Sequence, residues 1–327
     1  MPVVSVVMAV KDEATYIRAA LEHLQAQTYP RDRIEILIVD GGSSDGTVEL
    51  ANAFARNDAR IRLIGGPGVN CPAALNLGIA KSSGEFVAKI DGHGYVNRTF
   101  LDLALRRLIA DPSIGCVGGR IEPTGNGTVP RANMIARFSI LGVGHGVYTA
   151  SDRLQDVDTV QCGVYRRAAL NAAGGFDDNL QFGEDEELNY RVRMAGYRIV
   201  FDPALRFRYW IRPTIRSLWR QYRNYGRARV RVIRKHPAFL SAKHLAPPAL
   251  VVGLTGAAVL ALATRRMGPL STTIIGGYAG FLMLGSLALG IRHRFPRADL
   301  IMASLASVHI GYGVGTLEGA VDWVRRR

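Results

Sequence analysis

Cysteine is scarce in this chain: Cys71, Cys116 and Cys162 are the only three among 327 residues. Widely spaced and odd in number, they argue against a disulfide framework or a Cys-x-x-Cys metal site and suit thiols in a reducing compartment. Acid is absent between Pro203 and Lys243, a stretch that carries ten arginines from Arg206 to Arg234, followed by Lys235 and Lys243. Charge of either sign is absent from 245–264 and from 270–291. Each run reaches the ~20 residues a helix needs to cross the hydrocarbon core, so both are read as transmembrane. A basic leader is absent too. "MPVVSVVMAVKDE" meets the acid pair Asp12 and Glu13 early, so no secretory signal is read and the N-terminal part is expected to stay on the side of synthesis.

What is present divides in three. Residues 1–205 are expected to form a cytoplasmic catalytic domain, 206–243 a basic membrane-interface segment, and 244–327 a transmembrane region of two or three helices. The chain is 48% hydrophobic, enough for a buried core, and its net charge of +14 is concentrated in the middle segment. From Arg212 the cations fall at 212, 216, 220, 223, 227, 231 and 234, steps of four and three that line one helical face. Ile215, Leu218, Trp219, Tyr222 and Tyr225 fill much of the remainder, and Pro213 suits a first turn. This predicts an amphipathic helix at an anionic membrane surface, and the positive-inside rule puts it on the cytoplasmic face. The third apolar run, 300–321, carries His309, Glu318 and several glycines; it spans, re-enters or packs against the other two. A full third span would leave the terminal "RRR" outside, which the same rule disfavours.

Residues 1–205 alternate apolar, β-branched runs with helical patterns. Strands are expected at "VVSVVMAV", 34–40, "IRLIG" and 86–91, and helices over 13–27, from Ser43 and from Pro72. Such βαβ units imply an α/β fold with a mainly parallel sheet, whose ligands gather at the carboxyl ends of the strands. Asp12, Asp40 and Asp91 lie at such ends. Asp91 closes the apolar run of "FVAKIDGHGY" and is followed by His93, with glycines at 92 and 94. Asp45 reads as a helix cap or as a residue that orders its loop. "FGEDEELNYR" places four carboxylates, Glu184 to Glu187, ahead of a helical segment.

"SVVMAVKDE", "ILIVDGGSSDGT", "ALNLGIAKSSGEFVAKIDGHG" and "GEDEELNYRVRMAGYRI" together resemble the successive motifs of family 2 glycosyltransferases of the GT-A fold. "VDTVQCGVYRR", "DEELNYR" and "QYRNYGRAR" are similar to the membrane-bound glucosyltransferases of succinoglycan-type exopolysaccharide assembly. The resemblance implies a nucleotide-sugar donor, with Ala9, Val10, Glu13, Asp40 and Asp91 around it, and a divalent cation, Mn²⁺ or Mg²⁺, on Asp91 and His93. A cation would offset the charge that develops on the departing nucleoside diphosphate. His93 departs from the family's usual Asp-x-Asp, and imidazole suits Mn²⁺ better than Mg²⁺. Leu75 stands where relatives often carry an arginine, so a diphosphate contact must come from another cation. Asp185 is implied as the general base, with Glu184 shaping its surroundings, and a single displacement by a hydroxyl inverts the anomeric carbon.

Asp158, Gln161, Cys162, Gly163, Gln221, Arg223 and Tyr225 are implied around the sugar or acceptor. "QYRNY" departs from the Gln-x-x-Arg-Trp of processive relatives, which argues against a polymer synthase. The implied reaction adds one sugar, glucose from UDP-glucose by the nearer resemblance, to a lipid-linked acceptor, with anionic lipids as further partners. A polyprenyl-phosphate sugar synthase is the alternative enzyme. A nucleic-acid-binding membrane protein would rest on net charge alone and would leave Asp91 and Asp185 unexplained, so no nucleic-acid partner is expected.

Overall fold

The computed structural model describes residues 1–142 and 151–325. They form two compact units, 1–123 with 151–210 and 124–142 with 211–325. Arg326 and Arg327 of the expected transmembrane region lie outside the described residues.

In the first unit, the continuous runs of Val, Ile and Leu become the parallel strands β1 (Val4–Val10), β2 (Ile34–Asp40), β3 (Ile61–Gly65) and β4 (Phe86–Lys89). Helices α1 (Ile17–Gln25), α2 (Thr47–Asn57) and α3 (Cys71–Ala80) provide the crossovers between them. β1 lies between β2 and β4, with Val4 opposite Ile34 and Phe86. The carboxyl ends of these neighbouring strands therefore meet at one edge. Helix α1 starts four residues later than expected. The intervening turn is laced to the β2–α2 loop, where Glu13 N–H donates to Thr47 Oγ1 at 2.8 Å and Ala14 N–H to Asp45 Oδ2 at 2.9 Å.

Beyond β4 the sheet changes direction. After α4 (Phe100–Ala110) and α5 (Thr128–Phe138) come α6 (Arg167–Ala173) and α7 (Glu184–Met194); of these, α5 belongs to the second unit. The strands β5 (Gly94–Val96), β6 (Ile114–Thr124), β7 (Gln155–Asp156), β8 (Val164–Arg166) and β9 (Arg198–Trp210) complete the order β3-β2-β1-β4-β8-β6-β9-β5, with β7 on β9. The β4–β8, β6–β8, β5–β9 and β7–β9 pairs are antiparallel. The sheet is thus mixed: β3, β2, β1 and β4 are parallel, and the far half carries the antiparallel pairs. Arg206 and Arg208, expected in the interface segment, lie on β9 and pair with Glu122 of β6.

The second unit gathers α5 with α8 (Ile215–Lys235), α9 (Ala242–Thr264), α10 (Pro269–Arg292) and α11 (Ala298–Arg325). Thr214 caps α8 in a capping box with Ser217, so Arg212 and Pro213 precede the helix instead of opening it. The last three helices are each long and apolar enough to cross a membrane. Half of the most apolar window of α11 is buried inside the protein, against about a tenth for α9, because α11 is the element the others pack around. Buried Asn133 of α5 joins this core by accepting from Ser304 Oγ at 2.8 Å and donating to the Arg212 carbonyl at 2.9 Å.

α8 and α11 run parallel in backbone contact. A Cβ on Gly315 would strike the Arg223 carbonyl, and one on Gly226 the Tyr312 carbonyl. Gly311, Gly315 and Gly319 recur every four residues along α11, the small-residue spacing that lets helices approach closely. Arg223 closes on Glu318 at 2.6 Å, and Arg227 reaches both Glu318 at 3.2 Å and Asp322 at 3.4 Å. The centre of the expected arginine stripe is therefore paired to α11, while Arg216, Arg220, Arg231 and Arg234 remain exposed.

Candidate active site

The site is built at the carboxyl edge of β1, β2 and β4, facing the start of α7. Lys89, the last residue of β4, is only 4% exposed. Its Nζ lies 2.9 Å from Asp91 Oδ1, 2.9 Å from Asp185 Oδ2 and 3.8 Å from Glu184 Oε1. One ammonium thus joins the strand-end acid to the helix-start acids. Gly183, in the left-handed region at φ 73°, turns the chain into α7, whose N-terminal dipole favours the anions placed there. The other Asp185 oxygen, Oδ1, is buried and has no hydrogen-bond partner among the described residues. Glu187, further along the acidic run, instead forms a buried bidentate pair with Arg191 at 2.8 and 2.5 Å.

Electrostatics separate the carboxylates. Burial works against ionisation of Asp91, but Lys89 and then His93 outweigh it and hold its pKa below the ordinary value. Burial raises Asp185, and Lys89 only partly offsets burial and the nearby Asp91 charge. Burial, then Asp185, pushes Glu184 up to about 7. Burial alone would discharge Lys89, yet Asp185, Asp91 and Glu184 keep its pKa well above the usual range. With all three carboxylates ionised, one ammonium leaves negative charge for a further cation to neutralise.

His93 Nδ1 lies 2.9 Å from Glu13 Oε1. Burial alone would lower its pKa, but this hydrogen bond, Tyr209 and Asp91 lift it to about 9. A carboxylate on one imidazole nitrogen fixes the ring, as it does in metal-binding histidines, and a cation on the other nitrogen would displace its proton. Among the described residues no three His, Cys, Asp or Glu side chains form a ready cation cage. Asp91 and His93 therefore suit a cation that takes its remaining oxygens from substrate and water. Cys162, buried at φ 50°, places Sγ 3.8 Å from Asp91 Oδ2. Burial keeps it a neutral thiol.

The sequence profile of Glycosyl transferase family 2 matches residues 5–172. This chain is a family 2 glycosyltransferase. Succinoglycan biosynthesis protein ExoA of Rhizobium meliloti (strain 1021) is 27% identical over 326 residues, which cover 98% of this chain and 96% of that protein. The dolichyl N-acetyl-alpha-D-glucosaminyl phosphate 3-beta-D-2,3-diacetamido-2,3-dideoxy-beta-D-glucuronosyltransferase of Methanococcus voltae is 25% identical over 242 residues, 72% of this chain and 75% of its own. Mannosyltransferase PcManGT from Pyrobaculum calidifontis, solved with GDP-Man and Mn²⁺, superposes with a TM-score of 0.62 at 21% identity, covering 98% of this chain and 88% of that one. That likeness establishes the GT-A-type fold.

Within this family 2 glycosyltransferase, the other expected residues fall into distinct surroundings. Ala9 and Val10 end β1 beside Gly41, whose N–H donates to the Val10 carbonyl at 2.9 Å. The Asp40 carboxylate accepts from Gly42 N–H, Ser43 N–H and Ser43 Oγ, so it also orders its own loop. A Cβ on Gly92 would press on Val10 and Glu13, and one on Gly94 would strike the Phe207 ring. The glycines at 92 and 94 are thus needed by close packing. Gly163 accepts from Lys89 N–H at 3.0 Å and Cys162 reaches Asp91, while Gln161 is half-buried. Asp158 is on the surface, its side chain 77% exposed and paired with Arg193 at 2.9 Å.

In the second unit, Arg223 is engaged by Glu318 and Gln221 Nε2 donates to Tyr225 Oη at 3.1 Å. Leu75 is buried in the core with Val7, Val87 and Tyr165. Lys89 was missed by sequence reasoning. Its signal was a lysine inside an otherwise apolar strand, a position charged residues occupy only when paired.

Proposed function

We propose that this glycosyltransferase transfers a single sugar, with inversion, from a nucleotide-sugar donor to a hydroxyl of a lipid-linked saccharide at the cytoplasmic membrane face. The observation that carries the reading is Asp185: a carboxylate only 15% exposed, with one oxygen held by Lys89 and the other left to accept a proton. Asp185 takes the proton of the attacking hydroxyl, and its burial with the nearby Asp91 charge disfavours its ionised form. Asp91 and His93 hold a divalent cation, and Glu13 orients the imidazole. When bound, that cation offsets charge developing on the departing diphosphate.

The supports are specific. PcManGT was solved with a nucleotide sugar and Mn²⁺. The Methanococcus enzyme is named for transfer to a sugar already carried on dolichyl phosphate, which favours a hydroxyl acceptor over the lipid phosphate itself. The succinoglycan protein's name supports exopolysaccharide assembly and, with the sequence resemblance, UDP-glucose as donor. The apolar helices α9 and α10 supply the membrane anchor, and the exposed arginines of α8 suit anionic headgroups.

The test is diphosphate release by the purified chain in its native lipid extract, run against a panel of UDP- and GDP-sugars with Mn²⁺ or Mg²⁺. One donor, turned over only when lipid-linked saccharide is present and silent in excess chelator, is expected. Turnover on polyprenyl phosphate alone would assign the other acceptor class, and full activity in chelator would remove the cation.

A further inference from the structure

We propose that Lys89 is a positioning residue for transfer: its ammonium grips Asp185 by Oδ2 against Asp91, so that Oδ1 stays turned to the incoming hydroxyl. The inference rests on the reading of Asp185 as base. Its geometry is independent of that reading. Lys89 Nζ makes two 2.9 Å contacts, to residues 91 and 185, and these acids stand on different elements, after β4 and in the first turn of α7. No hydrogen bond between Asp91 and Asp185 could replace it when both are ionised, because two carboxylates lack the donor. Stability alone accounts poorly for a lysine here, since buried ion pairs are often no better than well-packed apolar side chains. The rest of β4, Phe86 to Ala88, is apolar and buried.

The experiment is a double-mutant cycle in the full chain, reading transfer to lipid-linked acceptor and, separately, nucleotide affinity by calorimetry. Asp185→Asn is expected to lower transfer about 10²-fold or more. Lys89→Met should lower kcat at least tenfold while nucleotide affinity changes less than about threefold, and Lys89→Arg should recover part of the loss. Combined with Asp185→Asn, Lys89→Met should cost almost nothing further, because the group it positions has gone. The double variant also removes one of the two carboxylates that Lys89→Met alone would leave unpaired at 2.9 Å, so it serves where the single variant folds poorly. Near-normal transfer in Lys89→Met, or a double variant whose losses multiply, overturns the role of Lys89. Near-normal transfer in Asp185→Asn overturns the base assignment instead.

A second observation bears on membrane topology. α8 lies in parallel backbone contact with the 311–322 stretch of α11 and exposes Arg216, Arg220, Arg231 and Arg234, each costly in hydrocarbon. The paired half of α11 must share the depth of α8, outside the core. Only 298–310 remains, about 20 Å of helix against a core of ~30 Å. We infer that α11 does not cross, and that its C-terminal end stays on the side of α8. Fluorescent-protein and periplasmic-phosphatase fusions to Arg327 test this. Fluorescence without phosphatase activity is expected, and an active phosphatase fusion would establish a third span.

Discussion

At the scale of single residues, the site separates tasks among groups of one chemical type. Asp91 is held ionised by Lys89 and His93, Asp185 is pushed toward its neutral form, and Glu13 serves His93 instead of standing free. Glu13→Gln therefore tests the cation site from one shell out. The amide keeps the size but loses the charge that fixes the imidazole. Mn²⁺ affinity, read by electron paramagnetic resonance in the presence of nucleoside diphosphate, is expected to fall about 10-fold or more. Unchanged affinity would leave His93 outside the cation's coordination. Asp91 and the acids of α7 were legible because carboxylates at a strand end and a helix start are exposed by pattern alone. Lys89 was not, because a lysine acquires meaning only from what surrounds it. Asp185 is 96 residues away in sequence but 2.9 Å away in space.

At the scale of elements, legibility followed length. β1, β2 and β4 were read because continuous apolar runs bounded by helical patterns have one interpretation, whereas β5, β7 and β8 have at most three residues each and no periodicity to display. The membership of α5 in the helical unit was equally hidden, since it depends on Asn133 meeting Ser304 across 171 positions of sequence. The arginines from Arg216 to Arg234 share α8, but the acids that pair with its centre lie on another helix. The α8–α11 contact yields a prediction of its own. Gly315→Ala drives a methyl group into the Arg223 carbonyl and should cost about 1–3 kcal/mol, read as a lowered unfolding midpoint in detergent. Gly276→Ala, on the open face of α10, should cost nothing. Equal behaviour of the two variants would mean that the helices do not meet through glycine.

At the scale of the whole molecule, anchoring and surface recognition are separable. Burying α9 and α10 in hydrocarbon holds the chain nearly irreversibly, while each exposed arginine near an anionic leaflet adds about 1 kcal/mol and is weakened by salt. Removing the arginines should therefore leave the protein in the membrane while changing how it responds to lipid charge. Arg216, Arg220, Arg231 and Arg234 suit this purpose because they are exposed on α8 and, unlike Arg223 and Arg227, are not used to hold α11. Their joint replacement by Gln should leave the chain resistant to carbonate extraction and its nucleotide affinity unchanged. In nanodiscs, transfer by the parent chain should rise as phosphatidylglycerol replaces phosphatidylcholine, and 0.5 M salt should flatten that response. The fourfold variant should be nearly indifferent to both. If the variant still responds to lipid charge like the parent, the anionic surface acts elsewhere on the molecule and α8 is only a partner for α11. If instead the variant leaves the membrane, the apolar helices do not anchor by themselves.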